Sequence, residues 1–191
     1  MEALKQIINH ILPLETKDWE LILPHLRTVK FDEKESLLSP PNICNFIAFI
    51  TAGSVRSYHR NDNLDESNLL LRTTNEFITD YESFVCQQPT NLFIETIEKG
   101  EAIFLDYQGL YSLYDTSLYW NQFGRIMSEH IFINSKRRTE QMLFQSPKER
   151  YLNLIQDHPD FFQNYSLKHI SSYLGITPQS LSRIRNQVAT S

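Results

Sequence analysis

The sequence holds only two cysteines, Cys44 and Cys86, in 191 residues. They can build neither a disulfide framework nor a four-thiolate cluster, and neither sits in a Cys-x-x-Cys pair. Each is expected to be a small buried hydrophobe. The six histidines (10, 25, 59, 130, 158 and 169) are scattered, with no His-x-His pair. That excludes a clustered metal site, so no metal and no catalytic residue is assigned. No apolar run approaches the ~20 residues that span a bilayer, and no basic-then-apolar leader opens the chain. The expectation is a cytoplasmic protein that meets no membrane. Internal repeats and low-complexity tracts are missing too. Positive charge is scarce: 18 Lys and Arg face 23 Asp and Glu, a net of −5. A protein that binds nucleic acid with its whole surface would carry the opposite sign.

What is present is apolar mass and a local concentration of charge. With 41% hydrophobic residues, 12% of all residues being aromatic, the chain can bury a real core as one domain or two small ones. Residues 146–191 hold five Lys and Arg (148, 150, 168, 183, 185) against three acids, a net of +2, which leaves −7 for residues 1–145. The C-terminal segment is thus the electropositive part, as phosphate attraction requires. Within it, 166–186 reads as two short helices around a tight turn. Ser166 can cap the first, and Leu167, Ile170 and Leu174 share one face. Gly175 suits a helix stop that needs left-handed dihedrals. Thr177 can cap the second helix with Pro178 at its first position. Leu181, Ile184 and Val188 then face inward, while Gln179, Ser182, Arg183 and Asn186 face out. Those outward side chains hydrogen-bond base edges and phosphates, the layout of a helix-turn-helix whose second helix enters the major groove.

Upstream, 1–12 and the stretch from Thr16 to Leu23 read as two helices that form a lid or packing unit. From about Val29 to Tyr107 the texture is short strands. Phe46–Ile50 suits a strand buried on both sides, and Ser54–His59 alternates. Asn68–Arg72, Phe77-Ile78, Leu92–Ile97 and Ala102–Leu105 follow, with one helical turn between Asp80 and Gln88. About seven strands at this spacing imply an antiparallel sandwich or barrel. Helical periodicity returns at Gln108, and one long helix is expected from Asp115 or Thr116 to Leu143. Tyr119, Phe123, Ile126, His130 and Ile133 recur at spacings of four and three, a coiled-coil-like seam widened by Met127. The seam suits a second copy of the chain. Ser146-Pro147-Lys148-Glu149 is a capping box that opens another helix, so 144–147 is the hinge. The connector 157–165 is short for a β-wing.

In this order of elements the chain resembles the Crp–Fnr (catabolite activator/fumarate-nitrate) superfamily of bacterial transcription regulators. The resemblance covers essentially the whole chain. It is carried by Phe49-Ile50-Thr51-Ala52-Gly53-Ser54-Val55-Arg56 and by the run from Tyr173 to Arg185, close to that of the subgroup with divergent sensor domains. It implies an α+β fold: a cyclic-nucleotide-binding-like β-roll (a double-stranded β-helix or jelly roll) over 1–115, a dimerisation helix and hinge over 116–145, and a helix-turn-helix domain over 146–191. The family's phosphate cassette aligns with Thr79, Asp80, Tyr81, Thr90 and Asn91. Thr79 stands where Gly belongs, Asp80 where Glu belongs, and Thr90 where Arg belongs. Losing that Arg removes the charge-assisted phosphate contact, so cAMP and cGMP are not expected to bind, no cofactor is assigned, and any effector is unidentified. Arg56 or Arg72 would have to reach inward to replace it. Haem sensing has only His59 as an axial candidate on the roll.

Carried across, recognition contacts come from Gln179, Ser180 and Arg183, with Thr177, Ser182, Arg185 and Asn186 around them. The seam implies a homodimer through Tyr119, Phe123, Ile126, Met127, His130 and Ile133. The expected partners are a double-stranded DNA operator, a second copy and RNA polymerase. The chain is therefore expected to be a sequence-specific DNA-binding transcription regulator and no enzyme. The competing expectation is a small-ligand or protein-interaction module whose helix-turn-helix no longer reads DNA.

Overall fold

The computed structural model describes residues 1–189. Helices α1 (Glu2–Ile11) and α2 (Thr16–Ile22) come first, and a 3-10 turn, Leu23–His25, leads into the strands. These are β1 (Leu26–Phe31), β2 (Ser36–Leu38), β3 (Phe46–Ala52), β4 (Val55–Arg60), β5 (Glu66–Arg72), β6 (Phe77–Ile78), β7 (Leu92–Thr96) and β8 (Gly100–Asp106), with helix α3 (Tyr81–Cys86) inserted before β7. They form two four-stranded antiparallel sheets, ordered β1-β8-β3-β6 and β2-β7-β4-β5. This is the expected α+β roll, with β1 and β2 as strands that the apolar pattern had not separated. Among the described residues no helix is long and apolar enough to cross a membrane.

The apolar run of β3 is explained by two cores, one on each face of its sheet. Phe46, Ala48 and Ile50 point into the roll with Phe31, Leu38, Ile94, Ala102 and Phe104. Phe49 points the other way, joining Ile103 and the helices outside. The register sets Phe49 against Ile103 and Ile50 against Ala102, so both strands alternate between the same two cores. Gly53, at φ +87°, turns β3 into β4 where the Lys99 carbonyl would crowd a side chain.

Strand β4 departs from the alternation expected of it: Val55, Arg56, Ser57 and Tyr58 are all buried. Val55 faces the roll interior. The opposite face of its sheet is covered by the C-terminal helices, whose core includes Leu71 of β5. A strand covered on both faces has no solvent side, whatever its sequence pattern.

Outside the first sheet, α1 and α2 do act as a packing unit. Leu4, Ile8, Trp19 and Ile22 meet Phe49 and Ile103, together with Leu113 of α4 (Tyr107–Thr116) and Trp120 and Phe123 of α5 (Leu118–Phe144). The expected long helix is α5, capped by Ser117, one or two residues beyond the expected Asp115 or Thr116; the extended backbone at Ser117 separates it from α4. The Ser117 hydroxyl accepts the Trp120 N–H (3.4 Å) and lies 3.3 Å from an Asp18 carboxylate oxygen, so the break is pinned to α2. The Trp120 indole N–H also donates to the Asp18 carbonyl (3.1 Å). Helix α5 has 27 residues and is about 40 Å long. Its first turns are core, whereas Phe132, midway along it, is 70% and Phe144, its last residue, 78% exposed. The capping box at Ser146 and Glu149 then opens α6 (Pro147–Asp157), followed by α7 (Phe161–Asn164), α8 (Leu167–Tyr173) and α9 (Pro178–Ala189). No strand lies between α6 and α8; the short helix α7 occupies the connector.

Candidate nucleic-acid interface and sensor site

The helix-turn-helix is built by local signals. Ser166 Oγ accepts the His169 N–H at 3.2 Å and caps α8. Gly175, at φ +67°, carries the chain out of that helix. Thr177 Oγ1 accepts the Ser180 N–H at 3.1 Å and touches the Ser180 hydroxyl at 3.0 Å, so both hydroxyls are engaged in capping α9. Ile170, Leu174, Leu181 and Ile184 close a core with Tyr151, Leu154, Phe161 and Tyr165. Leu167, expected on that face, is 43% exposed. It lies on the first turn of α8, and the covered face is set by Ile170, Ser171 and Leu174 instead.

Gln179, Ser182, Arg183, Arg185 and Asn186 are all exposed on α9, and Ser180 is half-buried. Gln179, Arg183 and Asn186 share one face by spacing. Ser182, Arg185 and Asn186 line an open groove of about 410 Å³ with Tyr151 and Val188. Arg150, one of the five basic residues of this segment, is spent on structure: it is buried, and donates from Nε to the Leu174 carbonyl (3.1 Å) and from Nη1 to the Gln145 carbonyl (2.7 Å). Arg138 of α5 lies over the Tyr173 ring at 4.0 Å and donates to the Tyr173 carbonyl. Two guanidiniums thus satisfy carbonyls that the end of α8 leaves open, where positive charge also suits the helix dipole.

The same unit is bonded to the outer edge of the roll. Strand β5 ends its sheet, paired only with β4. On its free side the Ser172 hydroxyl donates to the Glu66 carbonyl (3.0 Å) and accepts the Asn68 N–H (2.9 Å). Asn68 Nδ2 donates to the His169 carbonyl (3.0 Å), and Thr73 Oγ1 donates to Asp160 Oδ2 (2.9 Å). The buried Tyr165 hydroxyl lies 2.9 Å from the Val55 carbonyl and 2.6 Å from that of Arg72. Burial pushes its phenol well above the ordinary range. Beneath α8, Arg56 bridges Glu66 (2.8 Å) and Glu95 (2.9 Å) and stacks on Tyr58 at 3.9 Å. Burial alone would raise the Glu66 carboxyl, but hydrogen bonds and charge from Arg56 and Arg60 hold it below the usual carboxylate range.

None of these edge residues was singled out from sequence as an interface. One signal was available for Tyr165. It immediately precedes the Ser166 cap, and Ile170 lies at the fourth helical position, a hydrophobic staple.

The five cassette positions do not form one open pocket. Asp80 caps α3, accepting the Ser83 N–H at 3.4 Å, and its other oxygen accepts the Thr90 hydroxyl. Thr90 Oγ1 in turn accepts the Leu92 N–H at 2.8 Å. Thr79 donates to the Phe46 carbonyl (2.8 Å), the Tyr81 hydroxyl meets Ser128 of α5 (2.7 Å), and Asn91 is exposed. Arg56 and Arg72 do not reach this place: Arg56 is held by Glu66, Glu95 and Asn68, and Arg72 donates to the Phe77 and Leu71 carbonyls. A cavity of about 310 Å³ lies elsewhere, between Arg27, Ser36–Ser39, Asn42 and Phe104. Cys44 is buried, as expected of it, whereas Cys86 is exposed on the last turn of α3. His59 is exposed on β4. Among the described residues no group of His, Cys, Asp or Glu is arranged to hold a metal ion.

The six residues expected at a two-fold seam divide. Phe123, with the partly buried Tyr119 and Met127, packs into the chain's own core, and the Tyr119 hydroxyl donates to the Leu12 carbonyl at 2.9 Å. Ile126 is half-buried, and His130 and Ile133 are exposed.

No protein-family model matches the sequence, and no curated protein matches it. Solved structures do. FixK2 from Bradyrhizobium japonicum superposes with a TM-score of 0.73 at 12% identity, over 86% of this chain and 85% of that one. The c-di-GMP-responsive global regulator CLP of Xanthomonas campestris gives 0.67 at 16% identity, over 92% of each chain. The catabolite activator protein of Thermus thermophilus gives 0.59 at 13%, over 96% of this chain and 86% of that one. The fold is therefore that of the Crp–Fnr-type regulators, from the roll through the long helix to the helix-turn-helix.

Proposed function

We propose that this protein is a homodimeric, sequence-specific DNA-binding transcription regulator, with no catalytic role. The observation that carries this reading is α9: a capped helix with Leu181 and Ile184 in the core and Gln179, Ser182, Arg183, Arg185 and Asn186 turned to solvent. Arg183 reads a guanine edge in this scheme, Gln179 a second base, and Arg185 a phosphate. The likeness to regulators, one named as responsive to c-di-GMP, supports the same class.

Residues 1–115 then act as sensor, 116–145 as dimer helix and hinge, and 146–191 as reader. Two readers must stand about one DNA turn apart, ~34 Å. In this reading a second copy sits on the outer part of α5, around Ile126, His130 and Ile133; the exposure of Phe132 and Ile133 supports it. The roll does not hold cAMP in the family's manner. Support comes from the mutual Asp80–Thr90 bond, from Arg56 and Arg72 being engaged elsewhere, and from an interior filled by Phe31, Phe46 and Phe104.

The deciding experiment titrates purified protein against DNA from upstream of its own operon at two salt concentrations, with and without cAMP. Tight, salt-sensitive binding unchanged by cAMP is the expected result. Binding that needs cAMP would overturn the sensor assignment. The competing reading, an interaction module that no longer reads DNA, is favoured by the burial of Arg150, which leaves four exposed basic residues in the segment. Absence of binding at low salt would select it.

A further inference from the structure

The contact between α8 and β5 contains one group whose hydrogen bonding is incomplete. His169 Nδ1 is buried and has no hydrogen-bond partner, while the same residue's carbonyl is tied to Asn68 of β5. Its neighbours at this contact are matched: Ser172 serves two backbone groups of β5, and Tyr165 and Asp160 are bonded to the roll; the other buried side-chain atom without a partner among the described residues is Ser57 Oγ of β4. We infer that this contact is a proton-sensitive latch: with His169 neutral the helix-turn-helix is held on the roll, and protonation of His169 releases it.

A neutral imidazole can leave Nδ1 as a bare acceptor at modest cost. Protonation turns that atom into a charged donor with no acceptor to meet it. The charged and titratable groups facing it are Arg56 from β4, Glu66 from β5, Glu95 from β7 and Lys168 from its own helix. Burial is the largest influence on the imidazole and lowers its pKa below 6.5; Arg56 and Lys168 add to that, and Glu66 and Glu95 oppose it without reversing it. The two carboxylates are already engaged by Arg56 and Arg60, which is why they do not rescue the imidazolium.

The direction follows from linkage. The released state, with His169 in water near 6.5, binds more protons than the docked state at pH values between its depressed value and 6.5. Docking is therefore fully present above about pH 6.5 and weakens as pH falls through that window, by up to ~tenfold in the docking equilibrium per pH unit.

The test rests on the fold alone, so it stands or falls independently of DNA reading. The Asn68 amide proton is bonded to Ser172, and its exchange in the full chain reports release directly. In the wild-type protein, Asn68 protection, corrected for intrinsic exchange, should fall several-fold between pH 7.5 and 5.5. In His169→Gln, which cannot titrate, it should stay flat. Unchanged protection in the wild type, or an equal fall in the variant, overturns the latch. Should His169→Gln not fold, the wild-type imidazole titrated by NMR serves instead. A depressed His169 pKa moving together with the Asn68 amide supports the latch, and ordinary titration near 6.5 with a static Asn68 overturns it.

Discussion

Two polar clusters of the same roll, one around α3 and one under α8, are finished to different degrees. Around α3, Asp80, Thr90, Ser83 and Thr79 satisfy one another and nearby backbone, with Cys44 donating its N–H to Ser83 at 2.9 Å. Under α8, Arg56, Glu66, Glu95 and Asn68 are equally dense but charged, and one atom above them, His169 Nδ1, is left over. A closed neutral-donor cluster holds shape. A charged cluster with a loose end, placed between two parts of the chain, can hold a choice. The unmatched polar atom lies at the roll's outer edge, under α8, and not in the cluster around α3.

Perturbing each side should separate them. Arg56→Met removes the cation between two partly buried carboxylates and should lower the unfolding free energy by about 3 kcal/mol, read from the urea midpoint. A loss under 1 kcal/mol would mean that the edge cluster contributes little. Tyr165→Phe deletes the hydroxyl at the Val55 and Arg72 carbonyls and should cost about 1–2 kcal/mol, with faster amide exchange confined to α7 and α8. Thr90→Val on the other side should cost about 1 kcal/mol, leave Asn68 exchange untouched and still give no heat with cAMP by calorimetry. A cAMP signal in either protein would reopen the interior as a sensor. Arg183→Ala should change stability by less than ~0.5 kcal/mol while costing about 1–3 kcal/mol of operator binding and relaxing one base position. Ile133→Glu, at an exposed position, should leave folding unchanged and convert the protein to monomer at low micromolar concentration on sedimentation.

How much could be read beforehand depended on how far apart the cooperating residues lie. The helix-turn-helix was legible because Ser166, Gly175, Thr177 and Pro178 act on their own neighbours. The roll was legible because β3 and β8 carry unbroken apolar runs. The docking of the helix-turn-helix on the roll was not. Tyr165 and Val55 are 110 positions apart, and Ser172 and Asn68 are 104 apart, so no periodicity links them. Arg150 shows the same limit from the other direction, since a basic residue counted toward phosphate attraction is the buried clamp of α8. The seam on α5 had a sound period, but period alone does not say which partner fills a face. For Phe123 and Tyr119 the partner is the chain's own core.

One hydroxyl, that of Ser172, stands in for the strand that β5 lacks, accepting the Asn68 N–H and donating to the Glu66 carbonyl. Lifting the helix-turn-helix away bares that strand's backbone to any other chain with an unpaired edge, the template for intermolecular β-pairing. The released form is thus also the aggregation-prone one. Mild acid or a broken dock would therefore shorten the protein's life in solution.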